Sequence, residues 1–262
     1  MSPDLDESDI ALAHELAALA TRTSLKFDQT QPDFRIKPDG SPVSTCDFAV
    51  EKAILDRLVQ ERPDDGVLSE ESGTVSKGDR RWIIDPLDGT NSFISGGSHW
   101  GTHIALECDG TVVLAIVTRP LEQRRWWAAS GYGAFCDADD APRAQSRRLA
   151  VSRTTAISEA RIGIETEEPR CLADKVVDLG ATRVTTGSPI LDLIEGTVDA
   201  VVYYEYGVIW DHAPAVALTT MAGGEFCDPV GGASIDLRGG IFSNGHLDLS
   251  SLLPLHQFGD RR

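Results

Sequence analysis

The chain has 262 residues, of which 41% are hydrophobic, and it carries a formal net charge of -17. That apolar content is enough for a folded core, arranged either as one large domain or as two packed halves. The strong negative charge argues against a protein that binds nucleic acid or an anionic membrane surface. We therefore expect neither nucleic acid nor a membrane as a partner.

The N-terminal residues predict a helix over about 8–25 rather than an export signal. Acidic residues come first, at Asp4, Asp6, Glu7 and Asp9, whereas a secretory signal peptide begins with basic residues. No stretch of the sequence reaches the roughly 18 to 20 apolar residues that cross a bilayer. The five cysteines are scattered and odd in number, which disfavours a disulfide framework or a zinc site. Together these features predict a cytoplasmic protein.

Apolar periodicity predicts the remaining elements in two halves. The first half, residues 1–150, is expected to contain a helix over 46–61 and strands near 81–85, 101–107, 111–118 and 125–130, the last continuing through Gly131 toward Phe135. The second half, residues 151–262, is expected to alternate strands near 160–165 and 199–204 with helices near 169–179, 189–195 and 211–222. No flexible linker separates the halves, so we expect them to pack tightly as effectively one unit.

One segment joins an apolar strand to a group of polar residues, Asp85-Pro86-Leu87-Asp88-Gly89-Thr90. Asp85 and Asp88 offer the hard oxygen ligands that Mg²⁺ prefers, and Gly89 lets the backbone approach an anion closely. The backbone N–H groups of Gly89 and Thr90 would then face phosphate oxygens. Asp-Pro and Asp-Gly pairs are also common turn formers, so an ordinary surface turn is the alternative.

Further carboxylates offer additional ligands, and each has a structural alternative. Glu70 and Glu71 follow a short predicted strand and would otherwise belong to a solvated loop. Asp47 and Asp211 lie where predicted helices start, and either would otherwise serve as a helix cap. Because a divalent cation needs several converging carboxylates, their presence in the chain favours a metal site.

Together these segments resemble the inositol monophosphatase family, the Mg²⁺-dependent, often lithium-sensitive phosphomonoesterases. Two motifs carry the resemblance: the Asp85 to Thr90 segment after an apolar strand, and Trp210-Asp211 followed by a helix that ends in Ala222-Gly223-Gly224. The similarity runs from Lys37 to about Asn244. It implies an α/β (α+β) fold, a layered αβαβα sandwich of the sugar-phosphatase type, with the site between the halves. A homodimer is the assembly that the resemblance implies.

The resemblance also implies which residues hold the metal ions. Glu70, Asp85 and the carbonyl of Leu87 would hold one Mg²⁺. Asp85, Asp88 and Asp211 would hold a second. A third, weaker ion would bring the total to three.

The same resemblance implies the catalytic roles. The third ion would lie near Glu70, with Asp47 and Glu71 acting on it through water. Thr90 would help Glu70 to orient and deprotonate the attacking water, so Glu70, Thr90 and Asp47 are the predicted catalytic residues. Bound cations would lower the pKa of that water and clamp the phosphoryl oxygens, so no covalent phosphoenzyme is required. Gly89 and Thr90 are the predicted phosphate-binding residues.

The substrate is predicted as a small phosphorylated alcohol, and three residues are candidates to contact it. In the family the position of Glu205 faces the leaving alcohol, and that of Ser188 is close to the substrate; Asp88 is the third candidate. Glu205 would otherwise be a solvated carboxylate, and Ser188 a helix cap. The segment Arg124–Phe135 is similar to one in histidinol-phosphate phosphatases of the family, although its paired tryptophans also suit core packing.

Inositol 1-phosphate and histidinol phosphate are therefore competing substrates. A 3'(2'),5'-bisphosphate nucleotidase or a fructose-1,6-bisphosphatase-like activity is the alternative, disfavoured because we find no basic cluster for a second phosphate. An alternative of another class is a catalytically silent metal-binding regulatory module, against which Glu70 and Thr90 argue. His212, next to Asp211, is expected to pack or cap rather than to transfer protons.

Overall fold

The computed structural model describes residues 5–138, 145–165, 170–185 and 187–258. Those residues form six α-helices and fifteen β-strands. The chain divides into two compact units, Met1–Arg147 and Arg148–Arg262. None of the described helices is both long enough and apolar enough to cross a membrane. The mixed α/β fold class predicted from the sequence is confirmed.

The first unit contains three helices and one large sheet. Its helices are α1 (Glu7–Ser24), α2 (Thr45–Glu61) and α3 (Thr90–Ile94). Its strands are β1 (Phe34–Ile36), β2 (Pro42–Ser44), β3 (Gly66–Ser69), β4 (Gly73–Ser76), β5 (Arg80–Asp88), β6 (Gly101–Cys108), β7 (Thr111–Arg119), β8 (Arg124–Ala129) and β9 (Gly133–Ala138), and β10 (Arg147–Leu149) includes the last residue of the unit. The order across the sheet is β10-β9-β8-β7-β6-β5-β3-β4, whereas β1 and β2 pair separately.

Helix α2 forms because its first turn is capped and one of its faces is apolar. The side chain of Asp47 accepts the N–H of Ser44 at 2.8 Å, which completes a capping box with Ser44 as the N-cap. Val50, Ile54 and Leu58 recur at fourfold spacing and are fully buried. They share a core with α1 and with the central strands of the sheet. The start of α2, including Asp47, is therefore fixed beside β5.

The second unit has a smaller sheet with helices packed on both faces. Its helices are α4 (Arg170–Asp178), α5 (Pro189–Ile194) and α6 (Ile209–Met221). Its strands are β11 (Arg161–Glu165), β12 (Thr182–Val184), β13 (Ala200–Tyr203), β14 (Glu225–Cys227) and β15 (Gly240–Ser243), in the order β12-β11-β13-β15-β14. Alternate residues of β13 face opposite ways. Ala200 and Val202 join a core with α4, whereas Val201 and Tyr203 join one with α5 and α6.

Most predicted elements are present with shifted ends, and two differ in kind. The strand predicted at 81–85 continues to Asp88, so Pro86 and Leu87 lie inside an irregular strand rather than in a turn after it. The strand expected to continue through Gly131 ends at Ala129, because Gly131 has a φ of +82° and reverses the chain into β9. Residue 169, where one helix was predicted to begin, lies outside the described residues.

Candidate active site

A bulge in β5 brings Asp85 and Asp88 to the same side of the sheet. Asp85 pairs with His103 on β6 and Asp88 pairs with Gly101, so three steps along β5 match two steps along β6. In a regular strand, residues three apart point to opposite faces, and the extra residue cancels that reversal. The Asp85 carboxylate also accepts the N–H of Leu87 at 2.9 Å, which holds the bulge.

Asp85, Asp88 and His103 form a cluster of possible metal ligands in the first unit. Each side chain offers one ligand atom, and these atoms lie within 4.8 Å of one another. Asp85 is buried, and the other two are half-buried. His103 Nε2 lies 3.3 Å from Asp88 Oδ2, and its Nδ1 has no hydrogen-bond partner in the part of the chain that the structure describes. Two carboxylates this close together suit a divalent cation.

Arg119, the last residue of β7, contacts the same aspartate. Its Nη1 donates to Asp88 Oδ2 at 3.1 Å. Burial by itself would raise the pKa of Asp88, but the neighbouring His103 and Arg119 outweigh it and hold that pKa below its usual value. Both neighbouring side chains therefore favour the ionised form of Asp88.

Thr90 links the Asp85–Thr90 segment to the start of α2. Its Oγ1 lies 3.0 Å from Asp47 Oδ1 and 3.0 Å from the carbonyl oxygen of Leu87. A hydroxyl has one hydrogen, so it donates to only one of these acceptors at a time. Asp47 is fully buried, and burial raises its pKa while hydrogen bonds from Ser44 and Thr90 oppose that rise. Asp47 thus caps its helix and contacts Thr90 as well.

The chain turns sharply between Asp88 and Thr90, and Gly89 makes that turn possible. Gly89 has a φ of +80°, a left-handed conformation that L side chains rarely adopt. A Cβ at this position would also collide with the carbonyl oxygen of His99. Only glycine fits here, and α3 begins at the next residue.

Glu70 and Glu71 follow β3, and both contact Lys37. Lys37 Nζ lies 2.8 Å from Glu70 Oε1 and 3.0 Å from Glu71 Oε1. The N–H of Glu70 donates to the carbonyl of Ile84 at 3.0 Å, which brings Glu70 beside β5 at the residue before Asp85. Burial raises the pKa of Glu71 to about 7 even though Lys37 opposes the rise. Among the described residues, neither Glu70 nor Asp47 belongs to the 4.8 Å cluster.

Asp211 and His212 belong to the second unit, at the first turn of α6. Asp211 Oδ2 accepts the N–H of Val208 at 2.7 Å, so this aspartate caps the helix. His212 is fully buried, with Nδ1 3.2 Å from the carbonyl of Ile235 and Nε2 3.1 Å from that of Tyr206. Burial lowers the pKa of His212. These contacts agree with the packing role expected for His212.

Ser188 and Glu205, the two residues predicted only to contact substrate, also lie in the second unit. Ser188 is the N-cap residue of α5 but makes no capping hydrogen bond with its side chain. Glu205 is exposed and has a φ of +47°, which is uncommon for a residue other than glycine. Their roles toward a substrate stay predictions.

Sequence reasoning missed His103 and Arg119. His103 lies in a strand predicted from apolar residues, and Arg119 directly follows another. An apolar strand pattern predicts a place in the sheet and does not indicate a site. Strand register decides their position: His103 stands opposite Asp85 on the neighbouring strand. A histidine and an arginine near the ends of otherwise apolar strands were the available signal.

A model of the inositol monophosphatase family matches residues 5–255 of this chain. The chain belongs to the inositol monophosphatase family. As a member of that family it is a phosphoric monoester hydrolase that acts on small phosphate monoesters, and the enzyme class predicted from the sequence is confirmed.

Individual relatives of this inositol monophosphatase family member cover most of its length. A Streptomyces griseus protein named glucose-1-phosphate thymidylyltransferase is 42% identical over 89% of this chain and 90% of its own. The histidinol-phosphatase of Mycobacterium tuberculosis is 34% identical over 90% of this chain and 95% of its own. The native crystal structure of the extragenic suppressor protein SuhB from Bartonella henselae matches with a TM-score of 0.79 and 26% identity, over 92% of this chain and 95% of that one.

Proposed function

We propose that this protein is a Mg²⁺-dependent phosphomonoesterase that removes phosphate from a small alcohol, with histidinol phosphate as the first candidate and inositol 1-phosphate as the second. The observation that best supports the proposal is the pair of carboxylates, Asp85 and Asp88, that one strand bulge holds within 4.8 Å of each other. Hard oxygen donors at this separation are typical of sites for Mg²⁺.

The proposed metal centre takes the ligands that the family resemblance implies. We assign Glu70, Asp85, Asp88, the Leu87 carbonyl and Asp211, for two to three ions in total. When bound, these ions would neutralise the charge of the phosphoryl group and lower the pKa of the attacking water. His103 offers a nitrogen, which Mg²⁺ seldom selects. We therefore assign His103 to orient Asp88 through their 3.3 Å contact rather than to bind the ion.

The protein's own groups would orient the water and the phosphate. Because Thr90 Oγ1 donates its one hydrogen to Asp47 or to the Leu87 carbonyl, its lone pairs can accept a hydrogen bond from the attacking water. Glu70, held by Lys37 at 2.8 Å, is the proposed acceptor of the water's proton. The N–H groups of Gly89 and Thr90 are the proposed donors to the phosphate oxygens.

The choice of histidinol phosphate rests on the histidinol-phosphatase relative, which this chain matches over 95% of that protein's length. We propose that Glu205 and Ser188 contact the leaving alcohol, with Asp88 also facing it. The exposed carboxylate of Glu205 would pair with the ammonium group of an amino alcohol, whereas with an inositol it would accept hydrogen bonds from hydroxyls. A homodimer and a cytoplasmic location stay predictions.

Phosphate release from a panel of substrates tests the proposal. The panel is histidinol phosphate, inositol 1-phosphate, glucose 1-phosphate, fructose 1,6-bisphosphate and 3'-phosphoadenosine 5'-phosphate, each with and without Mg²⁺. We expect release that requires Mg²⁺ and that Asp85→Asn abolishes, and we expect Glu205→Gln to raise KM for histidinol phosphate alone. Release that depends on neither Mg²⁺ nor Asp85 contradicts the proposal.

A second reaction tests the activity that the name of the Streptomyces griseus relative indicates. Glucose 1-phosphate is incubated with deoxythymidine triphosphate and Mg²⁺, and pyrophosphate is measured. The phosphatase proposal predicts neither pyrophosphate nor nucleotide sugar, whether or not glucose 1-phosphate is hydrolysed. Stoichiometric pyrophosphate and nucleotide sugar would contradict it.

A further inference from the structure

Asp88 shares a single carboxylate oxygen with two nitrogen-bearing side chains. Oδ2 lies 3.1 Å from Arg119 Nη1 and 3.3 Å from His103 Nε2. The Arg119 side chain is only 8% exposed. Its Nε is buried and has no hydrogen-bond partner among the described residues, and the other contact of Nη1 is the carbonyl of Thr118 at 3.4 Å. A guanidinium this buried needs a counter-charge, and Asp88 supplies it.

The position of Arg119 is set by the close approach of β6 and β7. Gly101, which pairs with Asp88 across the sheet, has no room for a Cβ because that atom would overlap the Thr118 carbonyl. The same Cβ would lie 3.0 Å from Arg119 Nη1. The glycine therefore leaves the space through which the guanidinium reaches Asp88.

We propose that Arg119 is a positioning residue that serves as the internal counter-ion of Asp88 and competes with the divalent cation for this carboxylate. The inference rests on the proposed function, which assigns Asp88 to a metal ion. A cation that binds Asp88 must either displace Arg119 from Oδ2 or share the carboxylate with it, and two positive charges this close repel each other. In either case Arg119 lowers the affinity of Asp88 for the cation.

Calorimetric titration of the full chain with Mg²⁺ and Mn²⁺ tests this competition without relying on activity. We expect Arg119→Gln to bind the ion at Asp88 more tightly, by about tenfold or more, which is the effect of removing a charge-assisted competitor. Arg119→Lys keeps the charge and should stay near the wild-type affinity. The matched control is Arg81→Gln, which breaks another arginine–carboxylate pair of the same sheet, with Glu107 at 2.6 Å. That control should leave cation affinity unchanged.

A double-mutant cycle with Asp88→Asn shows whether the effect passes through Asp88. In the Asp88→Asn background, Arg119→Gln should no longer change the affinity for the remaining ions. An equal change in both backgrounds, or equal affinities for wild type and Arg119→Gln, would overturn the inference and leave the phosphatase proposal intact. Absence of cation binding in wild type and every variant would overturn the proposed function instead.

A measurement on the wild-type protein covers the case in which Arg119→Gln does not fold. The Nε–H resonance of Arg119, assigned by its loss in Arg119→Lys, should shift as Mg²⁺ is added, because the guanidinium changes its partner. The corresponding resonance of Arg81 should not move. An Arg119 resonance that is unchanged at saturating Mg²⁺ overturns the inference.

Discussion

Replacing Thr90 with valine preserves the shape of the side chain and removes its hydroxyl. The Thr90 hydroxyl donates either to Asp47 Oδ1 or to the Leu87 carbonyl oxygen, each at 3.0 Å, and the loss is largest when the acceptor is the fully buried Asp47 carboxyl group. A hydrogen bond to a charged group contributes about 1.5–3 kcal/mol. With a shift of about 2–4 °C per kcal/mol for a chain of this size, Tm should fall by about 3–12 °C.

The assay for Thr90→Val combines thermal unfolding with phosphate release by the folded enzyme at 25 °C. If Thr90 orients the attacking water, kcat should fall by about 100-fold or more, since that is the usual contribution of a positioned proton-transfer group. Thr90→Ser keeps the hydroxyl and should retain most of both Tm and kcat. A wild-type kcat in Thr90→Val refutes the role of the hydroxyl, and an equal loss in Thr90→Ser assigns the effect to packing of the methyl group instead.

Three further changes test other parts of the site. Gly89→Ala should cost about 1–2 kcal/mol from the left-handed backbone alone, before the collision described above, and should abolish most phosphate release, as denaturant unfolding and activity would show. Asp85→Asn should lose a bound Mg²⁺ in calorimetry with an unchanged circular dichroism spectrum, since asparagine keeps an oxygen for the Leu87 N–H; loss of the folded spectrum would contradict this. In metal-free protein, the pKa of Glu71 is about 7 when folded against an ordinary 4.5, so the folded state binds the proton more tightly and stability should fall as pH rises from 4.5 to 7. Urea unfolding should show that the free energy of unfolding of the wild type is lower at pH 8 than at pH 5, by at most about 3 kcal/mol, and that Glu71→Gln removes this difference. The same dependence of the free energy of unfolding on pH in both proteins would contradict the assignment.

The elements that could be predicted from the sequence are those long enough to repeat their apolar pattern. Helix α2 was predicted at 46–61 and is Thr45–Glu61, because three turns of buried residues leave little choice of boundary. Strands of three residues such as β1, β12 and β14 were not predicted, since one and a half periods carry no pattern.

Some residues of the candidate site could likewise be predicted from the sequence, and others could not. Asp85, Asp88, Gly89 and Thr90 are contiguous, so their local chemistry could be predicted from the motif alone. Arg119 joins them only because β5, β6 and β7 adopt one particular register. Register depends on packing across the whole sheet, which a single sequence does not specify.

The bulge in β5 makes the spacing of the two aspartates as important as their identity. Deleting one residue between Asp85 and Asp88, such as Pro86, would restore a regular strand in which residues two apart face the same way. Both carboxylates would remain, but the Leu87 carbonyl between them and the left-handed turn at Gly89 would be rotated out of place. A chain with every ligand retained could therefore be inactive through a change in length alone.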